Sequence, residues 1–413
     1  MTDSTQPFAI HGFRLFWITR LCSTLAQTSL VVVIGWQVYS LARTSMGIRE
    51  AALQLGLIGL AQFLPMFALT LVTGWLADRW DRRRIVQACT TLQLACAIVL
   101  ALANLLHGLS LGILFGVAVL LGVARAFSMP ALGAIAPNVV PRPLVPRAIA
   151  ASSIATRVGA ILGPAMGGYL YAAIPWLPYA GGVLLLVVSF VATAGLPPIR
   201  PPRMAEAATP WRQMIEGLTF VRDNRLVLGA ISLDLFAVLL GGATAMLPIY
   251  AQDILHTGPT GLGHLRAAPA LGAMLSAVWF SYRPLSNHIG IKMLAAVGIF
   301  GAATAIFGLS RSMPLSLASL VVLGAADMLS VYVRQSLIQL GTPDEMRGRV
   351  GAVSSLFVSA SNELGEAESG FLAALVGPVT AVVAGGVGAV FVAILWARLF
   401  PMLRGARRFE SID

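Results

Sequence analysis

Long apolar runs, separated by short polar connectors, make up most of this chain. Twelve of them are long enough to cross a bilayer as helices, which takes roughly 20 apolar residues each. The runs lie at residues 13–40, 53–77, 84–107, 109–136, 147–173, 177–196, 225–250, 262–283, 290–310, 314–340, 350–376 and 379–400. The pattern therefore predicts an all-α membrane protein with twelve transmembrane helices in two pseudo-symmetric six-helix bundles.

The longest polar segment, residues 197–224, separates the two groups of runs. It opens with four prolines, which oppose a continuing helix and favour extended chain. Trp211, Ile215 and Leu218 then recur at helical spacing, which fits a short amphipathic helix on the cytoplasmic membrane surface or a solvated linker. We expect an N-terminal bundle, a cytoplasmic linker and a C-terminal bundle with a basic tail, at residues 1–196, 197–224 and 225–413.

A charged stretch between the second and third runs fixes the topology. Six of the seven residues from Asp78 to Arg84 are charged, so this stretch forms a water-facing loop. Arg and Lys collect in cytoplasmic loops, and alternation from this loop places both termini in the cytoplasm. We expect a multi-pass protein of the bacterial cytoplasmic (inner) membrane.

Composition narrows the possible functions. Charged residues are only 11% of the chain, against about 25% in soluble domains. The net charge of +11 lies mostly in loops on one side of the membrane, so we expect lipid and not nucleic acid as the partner. Three cysteines inside apolar runs show neither zinc nor disulfide spacing. No phosphate-binding loop or catalytic grouping is present, so we expect neither an enzyme nor a cofactor nor a metal site.

Ionisable residues inside the apolar runs are the informative positions. Each costs roughly 3 kcal/mol at the bilayer centre unless it is paired or faces water. The first half carries Arg20, Arg125 and Arg157. The second half carries Asp234, Asp327, Arg334, Glu363, Glu366 and Glu368. This asymmetry favours a polar cavity between the halves, where opposite charges meet or bind a ligand.

Asp234 lies deep in span 7 and is our first candidate for carrying a proton. Desolvation favours its neutral form and a nearby arginine its charged form, so the balance can switch. A purely structural ion pair is the alternative. Asp327 is similarly deep, but small neighbours at residues 324–326 fit helix packing equally well.

Arginines in the runs need carboxylates, carbonyls or water as partners, because a guanidinium stays charged. For Arg125 we expect proton coupling or anion binding, with a structural role as the alternative. Arg20 and Arg157 lie nearer span ends and are candidates for cargo binding, as is Asp234. For Arg334 we expect snorkelling to the surface and a structural role.

Span 11 carries three carboxylates, of which Glu363 and Glu366 share one helical face. They suggest a wet pathway or a cationic partner, and Glu366 is our second candidate for the proton. A metal ion is a lesser alternative, since no His or Cys lies beside them.

Span 5 has glycines at close spacing around a proline. Glycines four apart allow a neighbouring helix to approach closely, and the proline bends the helix. The residues are Gly159, Gly163, Pro164, Gly167 and Gly168. Simple helix packing or a bend that closes one side of a cavity both fit.

Together these segments resemble the major facilitator superfamily over nearly the whole chain. The loop at Gly74, Asp78, Arg79, Arg82 and Arg83 looks like motif A, with Asp81 where the family usually has Gly. The Arg125 segment resembles motif B, which the family links to proton coupling. Residues 159–168 resemble motif C, the antiporter motif, and residues 233–250 and 361–366 look like the drug:proton antiporter branch that includes the enterobactin exporter and macrolide-efflux proteins.

The resemblance implies the major facilitator fold and a proton-coupled antiporter that exports a small organic molecule, such as a siderophore or drug, by alternating access. We expect the motif A residues to close the cytoplasmic side while the cavity faces outward. Protons and a small-molecule substrate are then the partners, and we expect a monomer to suffice. Proton-coupled uptake of a small nutrient is the alternative function.

Overall fold

The computed structural model describes residues 6–77, 80–199, 210–283, 285 and 287–406. Within these ranges the chain forms helices joined by short turns, and no β-strand. The helices are α1 (His11–Ala42), α2 (Ile48–Ala77), α3 (Arg82–Leu105), α4 (Leu111–Ile135), α5 (Val145–Ala173), α6 (Leu177–Ala194), α7 (Pro210–Asp223), α8 (Arg225–Leu240), α9 (Leu247–Ile249), α10 (Gly258–Tyr282), α11 (Ile289–Leu309), α12 (Met313–Leu340), α13 (Arg347–Val376), α14 (Pro378–Leu399) and α15 (Pro401–Gly405).

Ten helical stretches in the described ranges are long and apolar enough to cross a membrane. They match predicted spans 1–7, 9, 10 and 12. At the positions of predicted spans 8 and 11 lie α10 and α13, which are of comparable length but are not among these ten stretches. The all-α membrane fold is confirmed, and the count of twelve spans stays a prediction.

The chain divides into two compact units. Unit 1 comprises Met1–Leu41, Ala61–Ala207 and Gly258–Ala267, and unit 2 comprises Ala42–Leu60, Ala208–Thr257 and Ala268–Asp413. Both α2 and α10 therefore contribute one part to each unit. The predicted division into two bundles around residues 197–224 stays a prediction.

Unit 1 has a buried apolar cluster at one end of its helices. α3 packs against α4 and α6. Phe13 and Phe16 of α1 are fully buried in this cluster with Val86 of α3 and Ile135 of α4. Leu196, just beyond α6, also joins the cluster, so this core anchors the chain that leaves α6.

In unit 2, α11 packs against α12 and α14, while α8 packs against α13 and α14. A second cluster joins α7, α8 and α13 through Val221, Val227, Ile231, Val350 and Val353. Many other large apolar side chains face outward, as helices in contact with lipid require.

The seventh predicted span is interrupted, although Asp234 is the only charged residue between Leu226 and Tyr250. α8 ends at Leu240, and a 3-10 turn at Ala243–Met246, α9 and a π turn at Tyr250–Ile254 follow. A Cβ atom at Gly242 would overlap the carbonyl group of Gly365 on α13. Glycine at this position therefore lets the break lie directly against α13.

Candidate functional site

A buried ion pair joins α8 and α12 inside unit 2. Arg334 Nη1 lies 2.6 Å from Asp234 Oδ2. Asp234 is 4% exposed and Arg334 is 2% exposed, so neither charge reaches solvent. The prediction that Arg334 snorkels to the surface is wrong, because its side chain turns inward to neutralise the carboxylate.

The pair leaves part of the arginine unsatisfied. Arg334 Nε is buried and has no hydrogen-bond partner in the part of the chain that the structure describes. The hydroxyl of Ser330, one turn earlier on α12, is buried and unpartnered in the same sense. In a low-dielectric site an incompletely satisfied charge is sensitive to any change in its partner.

A second polar group lies where the interrupted span meets α13. Thr244 Oγ1, in the 3-10 turn, donates to Glu366 Oε1 at 3.2 Å. Glu366 is half-buried, and Glu363, one turn earlier on α13, is buried. The break after α8 thus positions a hydroxyl against one of the predicted carboxylates, and both groups belong to unit 2.

The first part of α2 also contributes to unit 2 at this point. A Cβ atom at Gly56 would lie only 2.9 Å from the carbonyl oxygen of Ala367 on α13. One turn further, a Cβ atom at Gly59 would lie 3.7 Å from Cβ of Glu366. Glycines therefore bring the α2 backbone against the helix that carries the three glutamates.

Asp327 lies two turns before Arg334 on α12 and is half-buried. The small residues beside it, at positions 324–326, pack closely against another helix. Helix packing was one of the two interpretations of this segment, and a role of Asp327 in coupling stays a prediction. A Cβ atom at Gly324 would overlap the carbonyl of Pro269 on α10, and one at Gly272 would overlap that of Val321. The backbones of α10 and α12 thus touch at this level.

The arginines of the first half lie in unit 1. Arg20 Nε donates to Thr156 Oγ1 at 3.1 Å, which links α1 to α5. Arg125 on α4 and Arg157 on α5 are half-buried, like Arg20. Each of these three side chains thus belongs to a helix of unit 1 and not to a loop.

The glycine-rich part of α5 packs against α1. A Cβ atom at Gly159 would lie 2.7 Å from Cβ of Thr24, and one at Gly163 would overlap Oγ1 of Thr28. Thr28 Oγ1 donates to the Gly159 carbonyl at 2.9 Å, so a hydrogen bond crosses this contact. A Cβ atom at Gly167 would lie 2.8 Å from Oγ of Ser29, so α5 approaches α1 closely there as well. Pro164 lies inside α5.

Gly168 faces a different neighbour. A Cβ atom there would overlap the carbonyl of Pro259, at the start of α10, and would lie 3.2 Å from Cα of Gly263. One stretch of α5 therefore contacts α1 on one side and the beginning of α10 on the other.

Asp78 and Arg79, in the loop after α2, lie outside the described residues. The surroundings of Gly74, near the end of α2, are also outside the described part of the chain. Arg82 Nη1 donates to the Ala134 carbonyl at 3.4 Å, and Arg83 Nη1 donates to the Leu196 carbonyl at 2.7 Å. Both contacts tie the start of α3 to other parts of unit 1.

Sequence reasoning noted Asp81 only as a departure from motif A and missed its structural role. Asp81 Oδ1 accepts from the Arg83 N–H at 3.0 Å, which caps α3, and from the Ile199 N–H at 3.1 Å. An Asp directly before a helix is the usual signal for such a cap. Asp81 therefore fixes the chain that leaves α6 beside the loop.

The sequence model of the Major Facilitator Superfamily matches residues 16–366. The chain belongs to the major facilitator superfamily. It is accordingly a multi-pass membrane transporter, and the resemblance drawn from its motifs is confirmed.

Curated relatives of this transporter include enterobactin exporters. The chain is 26% identical over 406 residues to the enterobactin exporter EntS of Citrobacter koseri. It has the same identity over the same length to EntS of Escherichia coli. In both cases the match covers 97% of this chain and 94% of the relative.

Solved structures share the fold at much lower identity. The POT family transporter PepTSo has a TM-score of 0.73 at 12% identity, covering 95% of this chain and 98% of the other. The nucleoside transporter NupG has a TM-score of 0.72 at 14% identity, covering 94% and 99%. A D-xylose-proton symporter has a TM-score of 0.71 at 15% identity, covering 95% and 99%.

Proposed function

We propose that this transporter is a proton-coupled exporter, an antiporter that moves a small organic molecule out of the cell by alternating access. The observation that carries the proposal is the Asp234–Arg334 ion pair, buried within apolar helices of unit 2. A buried carboxylate is costly in an apolar environment unless it is paired, so any change in the protonation of Asp234 would alter its pairing with Arg334.

Protonation of Asp234 would cancel the attraction that holds Arg334. An arginine left buried without its counter-ion destabilises a structure by about 3–5 kcal/mol. The protonated protein would therefore favour a different arrangement of α8 and α12, in which Arg334 finds another partner. A proton that binds in one arrangement and leaves in the other shifts the equilibrium between them, which is the requirement for coupling.

Glu366 is the second candidate for the proton. It is half-buried, and its hydrogen bond from Thr244 reports directly on the break after α8. Loss of its charge would weaken that bond, since a hydroxyl binds a carboxylate more strongly than a neutral acid. We place Glu363, Asp327 and Arg125 in the same coupling pathway.

Export as the direction of transport is supported by the curated relatives, which are named as enterobactin exporters and align over almost their whole length. The glycine-rich part of α5, which resembles the antiporter motif, agrees with it. A siderophore is thus one cargo class that fits, and Arg20 and Arg157 would suit its anionic groups. A cationic drug is the other class, for which the acidic residues of α8 and α13 would be the binding groups.

A comparison of cells with and without the protein tests this function. Metabolites inside the cells and in the medium are measured after growth under iron limitation, with enterobactin and a panel of cationic dyes as added probes. The proposal expects at least one compound to be retained inside cells that lack the transporter. A compound that accumulates only inside cells containing the transporter would instead establish uptake.

A further inference from the structure

Helix α7 is placed by its connection to the next helix. α7 ends at Asp223, and Asn224 caps α8 by accepting hydrogen bonds from the N–H groups of Leu226 and Val227 at 3.1 Å. α8 begins at Arg225, where a membrane-crossing stretch also begins. Only one residue therefore separates α7 from the helix that opens this membrane-crossing stretch.

One face of α7 is held against the first turns of α13. A Cβ atom at Gly217 would lie 2.9 Å from the carbonyl oxygen of Arg349, so glycine permits backbone contact. Val221 is buried in the cluster that includes Val353. Glu216 accepts from Arg349 Nη1 at 2.7 Å, which fastens the two helices by charge as well.

The opposite edge of the same apolar arc is exposed in the part of the chain that the structure describes. Trp211 is 61% exposed, Ile215 is 48% exposed and Leu218 is 40% exposed. Their spacing of four and three residues places them in one stripe along the helix. An exposed apolar stripe of this kind on a short helix is typical of helices that lie in the membrane interface.

Two exposed arginines lie at the end of this stripe. Arg222 lies three turns after Trp211 and therefore on the stripe itself, and Arg225 follows at the start of α8. Arg222 also pairs with Asp223 at 3.1 Å, in a position where both side chains are exposed. Arg212, about 100° from Trp211 on the helix, pairs with Glu216 at 3.0 Å, so Arg222 and Arg225 carry the positive charge at the end of the stripe.

We infer that α7 is a membrane-interface helix whose partner is anionic lipid. Trp211, Ile215 and Leu218 insert at the level of the headgroups, and Arg222 and Arg225 bind headgroup phosphates. α8 follows after one residue and opens a membrane-crossing stretch, so lipid is the apolar phase nearest to the stripe. Because Gly217 and Glu216 hold α7 on α13, the lipid also fixes the first turns of the helix that carries Glu363 and Glu366.

Spin labelling of the full-length transporter tests the location of α7 without any transport assay. The three native cysteines, Cys22, Cys89 and Cys96, are buried, so a label directs itself to an introduced cysteine. Ile215→Cys reports on the stripe, and Glu345→Cys, in the exposed turn before α13, is the water-facing control. Both are placed in nanodiscs of phosphatidylcholine with and without phosphatidylglycerol, and accessibility to oxygen and to a water-soluble nickel complex is measured.

We expect the label at residue 215 to favour oxygen over nickel, with a further shift toward oxygen when phosphatidylglycerol is present. Arg222→Gln/Arg225→Gln should lose that further shift. Arg49→Gln/Arg311→Gln, which removes two exposed arginines elsewhere, should retain it.

Three results would overturn the inference. A label at residue 215 as nickel-accessible as that at residue 345 would make α7 a solvated helix. Shielding of residue 215 from both oxygen and nickel would mean that protein, such as a second copy of the chain, covers the stripe. Equal depth in both lipid mixtures would exclude recognition of anionic headgroups.

Discussion

Asp234 and Arg334 are the residues on which the proposed coupling rests, and their structural and functional roles can be separated. Removing one partner of a buried ion pair leaves an uncompensated charge, whereas replacing both by apolar residues of similar volume is often neutral. The pair can therefore be disrupted in two ways, by replacing one partner or both. The two should differ in their effect on the free energy of unfolding, but both should abolish proton coupling.

Arg334→Met should lower the free energy of unfolding by about 3–5 kcal/mol, because it leaves the Asp234 carboxylate buried alone. Asp234→Leu/Arg334→Met should recover most of that loss. Thermal unfolding of the purified protein in nanodiscs measures both. Asp253→Asn is the matched control, since Asp253 pairs with Arg43 in a partly exposed position, and it should cost at most about 1 kcal/mol. A cost this small for Arg334→Met would contradict the burial of the pair.

His107 occupies a backbone conformation that favours glycine. Its φ is 52°, and the Gly108 N–H donates to the Ala103 carbonyl at 2.9 Å, which closes α3 with a Schellman motif. His107→Gly should stabilise the transporter by roughly 0.5–1 kcal/mol, because the left-handed conformation costs glycine nothing. Thermal unfolding again measures the change. His11→Gly, at the first helical position of α1, should not stabilise, and equal gains at both sites would refute the explanation.

Sequence reasoning found Asp234 but not its partner. Asp234 stands out because it interrupts an apolar run, whereas Arg334 lies 100 residues away and near the end of α12. Snorkelling was the natural expectation for an arginine in that position. Only the packing of α8 against α12 determines that its side chain turns inward.

At the scale of whole helices, contact between α1 and α5 depends on the absence of side chains. The glycine spacing in α5 predicted this close approach, and the structure adds the partners Thr24, Thr28 and Ser29 on α1. A change in α5 packing would therefore be transmitted to the helix that carries Arg20.

Gly163→Ala should destabilise the transporter by about 1–3 kcal/mol, because its Cβ atom would overlap Oγ1 of Thr28 and would lie 2.9 Å from the Leu25 carbonyl oxygen. Transport should fall together with stability if α1 and α5 must stay in contact during the cycle. Gly116→Ala, in an open position on α4, should be neutral or slightly stabilising. If the two variants unfold at the same temperature, the α1–α5 contact is not as close as described.

Asp78→Asn tests the proposal that the motif A loop acts as a cytoplasmic gate. Loss of its charge should weaken transport while cargo binding, measured by equilibrium binding to purified protein, stays largely intact. Asp81→Asn is the matched control three residues away, because Asn also caps helices and can keep both backbone hydrogen bonds. Parallel loss of transport and binding in Asp78→Asn would reduce this loop to a structural role.

The interruption of the seventh span shows where hydropathy fails as a predictor. Around residues 240–250 the stretch stays largely apolar, so its hydropathy gives no sign of a break. Local signals were present in Gly241, Gly242 and Pro248, since glycine and proline end or bend helices. Their effect depends on α13, whose backbone at Gly365 lies against the break.

At the scale of the whole molecule, periodicity and charge were enough to predict an all-α membrane protein, and the resemblance of its motifs indicated the major facilitator superfamily. Hydropathy was least informative for α10 and α13, which are not among the stretches of the described ranges that are long and apolar enough to cross a membrane. α13 keeps its glutamates on a helix that packs against α7, α8 and α14. Contacts with these helices, and not hydropathy, therefore explain where α13 lies.

Proton coupling is the central claim, and it is also the property that no part of the sequence determines alone. It requires that the free energy of a proton gradient be spent on moving cargo in the opposite direction. An antiporter in liposomes that are acidic inside should accumulate cargo as protons leave, whereas a symporter would need the reverse gradient.

The most direct test is cargo accumulation by purified transporter in such liposomes, using the compound identified in the cell comparison. The wild type and Asp253→Asn should accumulate cargo when the interior is acidic and stop when the gradient is dissipated. Asp234→Asn should exchange labelled for unlabelled cargo at equilibrium but accumulate none. Accumulation by Asp234→Asn equal to that of the wild type would contradict the account.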